Sequence, residues 1–225
     1  MDRLWDSGFN GCGRGGVRVT GADAASANGG ASLLSVIIAT QESEHALVPT
    51  LAALVPGALA GIVREVIIAD SGSRDGTAAV ADAGGCRFVV SQAPTGTRLR
   101  AGAALARAPW LLFLKPGTVP NSTWIEETGR FMQDAELAGD ARAAVFRSAG
   151  APGRRRSVIG EALALLAAGL GALPRPDQGL LIAKRHYDDL GGHRPDGADC
   201  ETDLIRRIGR RRIEMLRSGT VTVAQ

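Results

Sequence analysis

The chain has 225 residues, 45% hydrophobic and 22% charged, a balance that excludes a wholly disordered, collagen-like or coiled-coil protein. No apolar run reaches the roughly 18–20 residues of a membrane-spanning helix, and three widely separated cysteines, Cys12, Cys86 and Cys200, suggest neither a disulfide framework nor a cysteine zinc site. The net charge of +3, in which 24 of 26 basic residues are arginine, suits an anionic ligand, an anionic lipid or a nucleic acid; with few aromatics, none interleaved with the basic clusters, a base-stacking nucleic-acid surface is disfavoured.

Residues 1–30 read as a flexible Gly-rich tail with no apolar period and no continuous apolar core of a secretory signal. Gly11-Cys-Gly-Arg-Gly-Gly16 matches GxGxxG but has no strand before it and no helix after it, so it is a decoy. Order begins with Leu33–Ala39, a short β-branched run that predicts a buried strand. A helix over 44–55, a strand over Val63–Ala69, a helix from Thr77 to Ala83, a strand over Cys86–Ser91, a helix over Leu99–Ala106 and a strand over Trp110–Leu114 follow. This alternation predicts an α/β fold with a parallel sheet covered on both faces, whose ligands bind beyond the carboxyl ends of the strands.

The second half is less regular. The pattern predicts a helix over 121–138, a strand over Ala143–Arg147, an apolar helix over 158–173 suited to burial or an interface, a strand over Leu180–Ala183, a helical turn at Tyr187–Leu190 and a basic helix over Asp203–Arg212.

Asp70 closes a buried strand and opens the run Asp70-Ser-Gly-Ser-Arg-Asp75-Gly-Thr77. A lone carboxylate is costly core filler, so Asp70 either stabilises a turn or accepts hydrogen bonds from a ligand. Asp75, before Gly-Thr, is placed to cap a helix.

These stretches resemble family 2 glycosyltransferases. Ser35–Glu42 is similar to "SVIIPTxNE", Val66–Thr77 to "VIVVDDGSxDGT", and Arg98–Trp110 with the following LLFL to the helix and strand before the family's DxD motif; Asp177-Gln-Gly179, Leu190-Gly-Gly192 and Cys200–Leu204 (against "EDxDL") follow in order. The resemblance covers about residues 33–217 and implies the GT-A fold, a Rossmann-like three-layer sandwich with a mostly parallel central sheet. It implies one domain over 31–225, with a nucleotide-binding half at 33–119 and an acceptor half at 120–217, and transfer of a sugar from a nucleotide diphosphate sugar to an acceptor with inversion.

By the same resemblance, Thr40, Gln41 and Glu42 line the nucleotide base, Asp70 matches the first acid of the base-reading pair with Ser71 at the second, and Arg98 and Arg100 face the diphosphate. Glu201 stands at the acid position of the EDxDL-like segment and is the candidate base, with Asp199 nearby; for Asp203 a helix cap is preferred. Asp177, Gln178 and His193 are assigned to the acceptor pocket. His186 and His193 lack a third zinc ligand.

The chain departs from the family pattern after the fourth strand, where Lys115-Pro-Gly117 replaces DxD. No carboxylate remains there for the family's Mg²⁺ or Mn²⁺. Three readings stay open: the ammonium replaces the metal, the site binds nucleotide or glycan without turnover, or Lys115 is a surface residue at a Pro-Gly turn. Expected partners are the donor and a glycan, lipid-linked or small-molecule acceptor, not nucleic acid. The expected setting is cytoplasmic, with Arg154–Arg156 and Arg206–Arg212 as either a solvated face or a peripheral contact to anionic lipid.

Overall fold

A computed structural model describes residues 18–20, 33–148, 174–195 and 199–223. The rest of the 1–30 segment, the basic run Arg154–Arg156 and the apolar run 158–173 lie outside the described residues.

The described elements in chain order are β1 (Arg18–Thr20), β2 (Leu34–Thr40), α1 (Glu44–Leu59), β3 (Val63–Asp70), α2 (Thr77–Ala83), β4 (Arg87–Val90), α3 (Thr95–Leu105), β5 (Trp110–Leu114), β6 (Thr118–Pro120), α4 (Trp124–Ala138), β7 (Ala143–Ser148), β8 (Leu180–Ala183), α5 (Lys184–Asp189), α6 (Cys200–Ile208) and β9 (Ile213–Thr222). Single 3-10 turns span Pro176–Gln178 and Arg210–Arg212. The nine strands form one sheet in the order β1-β4-β3-β2-β5-β8-β7-β9-β6. Strands β4, β3, β2 and β5 are mutually parallel, and β8 enters antiparallel beside β5.

The central strands are apolar on both faces, as parallel strands between two helical layers must be. In β2, Val36 and Ile38 face a core shared with Leu47 and Leu54 of α1 and Trp124 and Phe131 of α4. Ile37 faces the opposite core, with Leu99 and Ala103 of α3, Tyr187 of α5 and Leu204 of α6. Strand β5 alternates the same way, Leu112 and Leu114 on one side and Leu111 and Phe113 on the other. This is the expected three-layer arrangement.

Three local expectations are corrected. Residues 18–20, inside the segment expected as a tail, pair antiparallel with β4, whose outer edge otherwise carries unpaired backbone groups. The basic helix over 203–212 is instead α6 over Cys200–Ile208; Gly209, at φ +84°, ends it, and the chain turns through Arg210–Arg212 into β9. Helix α3 starts at Thr95, four residues before Leu99, directly after Pro94. Strands β6 and β9 were not expected: one is very short, and the other breaks its apolar alternation at Arg217-Ser-Gly219.

Small residues let α3 approach the sheet. A Cβ on Gly102 would sit 2.8 Å from Ile37 Cγ2, so any side chain there overpacks the centre of β2. Gly102→Val is expected to destabilise the fold by about 1–3 kcal/mol, read as a lower urea midpoint at unchanged slope.

Candidate active site

The carboxyl ends of β2, β3 and β5 form the mouth of the sheet. Thr40 and Asp70 end their strands in register. Asp70 is buried, and both its oxygens are engaged: Oδ1 accepts from Thr40 Oγ1 (2.7 Å) and Ser73 Oγ (2.6 Å), and Oδ2 from the backbone N–H of Gly72 and Ser73 (2.7 Å each). Burial pushes the Asp70 pKa up, but the bonds from Ser73, Thr40 and Gly72 outweigh it and hold the carboxyl below its ordinary value.

Arg98 is buried beside it. Its Nη1 donates to the carbonyls of Thr40 (2.8 Å) and Ala69 (2.6 Å), Nε to Ala93 O (3.2 Å) and Nη2 to Thr95 Oγ1 (3.1 Å). The structure therefore brings Asp70 and Arg98 together on the floor of the site, where they fasten strand ends and loop to one another. Arg100 is exposed on the same helix, and its charge acts on the buried Tyr187.

The rim is a two-loop lock. Glu42, at φ +46°, donates its N–H to Ser73 Oγ (2.8 Å) and accepts the N–H of Arg74 on Oε1 (2.8 Å). Asp75 accepts from the N–H of Thr77 and from the N–H of Glu44, while Glu44 accepts from Gly76 N. The position before α2 suggested Asp75 as its cap; Gly76 holds the N-cap position instead, and Asp75, one residue earlier, accepts the first N–H of α2 and the first N–H of α1. Among the three residues expected at the base, Thr40 is buried and bonded to Asp70, and Gln41 and Glu42 are exposed at the rim.

Lys115 and Glu201 meet across the mouth. Lys115 directly follows β5, Glu201 lies in the first turn of α6, and Nζ is 2.7 Å from Oε2. The Glu201 side chain is 19% exposed. Desolvation raises its pKa, Lys115 works against this, and the charges of Asp199 and Asp177 add to the rise. The α6 cap is Asp199, whose Oδ1 accepts from Thr202 N (3.3 Å), and not Asp203, which lies one turn too far into the helix. Asp203 instead pairs with Arg207 at 2.8 Å, and Arg207 donates to the carbonyls of Leu190 and Gly192 (2.6 Å each).

Glu201 lines a small cleft, partly open to solvent, with Phe113, Arg175, Gly179, Leu180, His193 and Ile205. Asp177 is half-buried at 3.2 Å from Arg175 Nε. Gln178 is buried and committed to the backbone, donating to Phe146 O (2.9 Å) and accepting from Arg175 N (2.6 Å), so it shapes the cleft wall without facing into it. His193 is fully buried, with Nδ1 2.9 Å from the hydroxyl of Tyr187. Sequence reading missed Tyr187 and Arg175; the available signal was a lone tyrosine shortly before Gly-Gly-His.

A family model described as "Glycosyl transferase family 2" matches residues 35–187. The chain belongs to glycosyl transferase family 2. No curated protein matches it. Among solved structures, Staphylococcus aureus TarS 1–349 is similar at a TM-score of 0.62 and 16% identity over 85% of this chain and 60% of that one. Glucosyl-3-phosphoglycerate synthase from Mycobacterium tuberculosis, in complex with Mn²⁺ and UDP-glucose, is similar at 0.59 and 20% identity over 86% of this chain and 71% of that one. TarS in complex with UDP-GlcNAc gives 0.62 and 16%, over 86% and 59%. The chain thus spans about three-fifths of TarS 1–349, and the likeness shows a shared GT-A fold.

Lys115-Pro-Gly117, directly after β5, does not fit a divalent cation: it offers no side-chain oxygen, Glu201 across from it is paired with the Lys115 ammonium, and no group of three or more His, Cys, Asp or Glu suited to a metal occurs among the described residues.

The Asp70 knot has a stability consequence. Asp70→Ala leaves two backbone N–H groups and two hydroxyls without their acceptor and is expected to cost about 1–3 kcal/mol. Because the folded carboxyl titrates below 3.8, its ionised form stabilises the fold at pH above that value and the contribution is lost as pH falls through the folded pKa. Urea denaturation from pH 7 down into the acid range should show a shallower acid loss in the variant.

Proposed function

We propose that this family 2 protein transfers a sugar from a nucleoside diphosphate sugar to a hydroxyl acceptor by single displacement with inversion. The observation that carries this reading is the Lys115–Glu201 pair, which sets a cation and a carboxylate 2.7 Å apart at the mouth of the sheet. The acceptor oxygen bonds to the anomeric carbon as the bond to the diphosphate oxygen breaks. The acceptor's proton passes to Glu201, and the leaving diphosphate keeps the electron pair beside Lys115.

Each role has a physical ground. A fixed ammonium stabilises charge developing on the leaving group without reorganising. A carboxylate with a raised pKa is a better proton acceptor than a fully solvated one, and the Lys115 ammonium beside it favours its ionised form. In this reading the rim residues Gln41 and Glu42 flank the base, with Thr40, Asp70 and Arg98 supporting them from below. Residues 33–119 hold the donor and 120–217 the acceptor, within a single domain over 31–225; Asp177 and His193 belong to the acceptor side, with Gln178 behind them. UDP is the first donor nucleotide to test, since the M. tuberculosis and S. aureus structures contain UDP-sugars.

A second reading has a specific observation behind it. Glu201 is engaged by Lys115, and a pair that stayed closed would bind nucleotide or glycan without turnover. As for the cellular setting, no helix among the described residues is long and apolar enough to cross a membrane. A cytoplasmic protein whose exposed Arg210–Arg212 turn meets anionic headgroups is part of the same proposal.

Calorimetry with UDP in EDTA tests the donor site. Wild type is expected to bind without added metal, and Lys115→Ala to bind about tenfold more weakly, equivalent to about 1.4 kcal/mol. A strict requirement for Mg²⁺ or Mn²⁺ would overturn the role given to Lys115.

With a donor and acceptor pair found by screening, Glu201→Gln should keep UDP affinity and lose about 10²–10⁴ in rate. Full activity in that variant would remove Glu201 as base. UDP binding without turnover of any donor would establish the second reading.

A further inference from the structure

His193 carries a polar atom that no protein group uses. Its imidazole is fully buried; Nδ1 lies 2.9 Å from Tyr187 Oη, and Nε2 is buried without a partner. The same phenol oxygen accepts the backbone N–H of His193 at 3.0 Å. Gly192 makes this closure feasible: it stands at φ +66°, and a Cβ there would lie 2.9 Å from the Tyr187 ring. The Phe113 ring, edge-on at 4.7 Å between centroids, packs the imidazole from another side.

The proton positions follow from donor accounting. The phenol has one hydrogen, and its oxygen already accepts from a backbone N–H. If Nδ1–H donated to the phenol, both the phenol hydrogen and the Nε2 lone pair would be left without partners; sending the phenol hydrogen to Nδ1 leaves only one group idle, the Nε2–H. Burial, assisted by the nearby Arg207 charge, pushes the imidazole pKa down to about 4, so the ring is neutral at pH 7. A neutral ring that accepts at Nδ1 carries its proton on Nε2. His193 lines the same small cleft as Glu201, with Phe113, Leu180, Ile205 and Arg175, and its Nε2–H is a buried donor there without a protein partner.

We propose that the Nε2–H of His193, fixed by Tyr187, is the donor that holds a sugar or polyol hydroxyl beside Glu201. The inference rests on the transferase reading only for the role of Glu201. A hydroxyl is both acceptor and donor, so one group can take the hydrogen bond from His193 and give its own hydrogen to the carboxylate. The Glu201 carboxylate in the same cleft repels a carboxylate or phosphate and accepts from a hydroxyl, which favours the hydroxyl at this point.

Two measurements on the full chain test this. Long-range ¹H–¹⁵N spectra of the imidazole at pH 7 should show Nε2 protonated and Nδ1 bare; the opposite tautomer, or a charged ring, overturns the proposal. A panel of methyl hexopyranosides and glycerol, titrated with UDP present, should move the His193 Nε2 resonance. His193→Phe, which keeps an aromatic ring and removes the donor, should weaken the best probe about tenfold while leaving UDP affinity unchanged, and His193→Gln should recover part of the loss.

Tyr187→Phe is the second variant, and it should admit the Nδ1–H tautomer and weaken the same probe. Equal probe affinity in wild type and His193→Phe, or an unmoved Nε2 resonance throughout the panel, overturns the proposal. UDP binding separates the two readings: probes that bind through His193 to a protein that ignores UDP would sink the transferase reading and leave this one standing, while UDP binding without a probe response does the reverse.

Discussion

Arg98 fixes the mouth of the sheet, and every site residue on that side is placed relative to it. Strand ends normally splay because their last carbonyls have no ladder partner. Here one planar guanidinium gathers the carbonyls of Thr40 and Ala69 and ties them to Ala93 and Thr95 at the start of α3. Such a buried cation needs an anion nearby, and Asp70 supplies it while turning the chain through Gly72 and Ser73. The two charges bond mainly to backbone, which is why they set geometry more than they attract ligand. The rim loops at 41–44 and 71–76 then lock to each other above a rigid floor.

The opposite side of the mouth is built on a different kind of charge pair. Lys115 is nearly half exposed, and such a pair contributes little net stability because solvent already screens it. Opening it returns the ammonium to solvent but leaves the more buried carboxylate without its cation. Glu201 is the more buried partner, and without the ammonium only desolvation and the like charges of Asp199 and Asp177 would act on it, all in the direction of protonation. In the proposed reaction, a diphosphate that draws Lys115 away would make the carboxylate a stronger base at that moment. A divalent ion could not be exchanged for the ammonium one-for-one, since it needs several hard oxygens and the residues at 115–117 bring none.

How much of this is visible in the sequence depends on range. The runs Leu34–Thr40, Val63–Asp70 and Trp110–Leu114 declare themselves because strands buried on both faces must be apolar throughout. Asp75 declares its bond to the start of α2 because the partner is two residues away. Asp70 is visible as an unusual acid, but its destination is not, because the choice between ligand and turn depends on Thr40, thirty residues earlier. The same holds for Arg98, where a helical arginine looks solvated until two distant carbonyls appear beside it. Lys115 and Glu201 were each singled out from the family pattern, yet nothing local says that they touch. Strand β9 was illegible for another reason: its pairing with β7 relies on backbone register across Arg147↔Gly219, where side-chain alternation gives no signal.

The start of α6 shows how the cleft keeps a single anion where chemistry would need one. Three titratable groups follow one another there, Asp199, Cys200 and Glu201. Asp199 is exposed, and its bond to Thr202 lowers its pKa, which makes it a permanent charge outside the cleft. Cys200 is buried, and desolvation together with the charges of Glu201 and Asp199 pushes its thiol up, so it stays neutral despite lying at a helix N-terminus. Of the three, Glu201 lines the cleft, where desolvation raises its pKa and the Lys115 cation works against that rise and favours the anion. Lys115 therefore bears on the charge of the cleft and not merely on its shape, and a cleft lined by one carboxylate and one neutral imidazole is chemically suited to a hydroxyl.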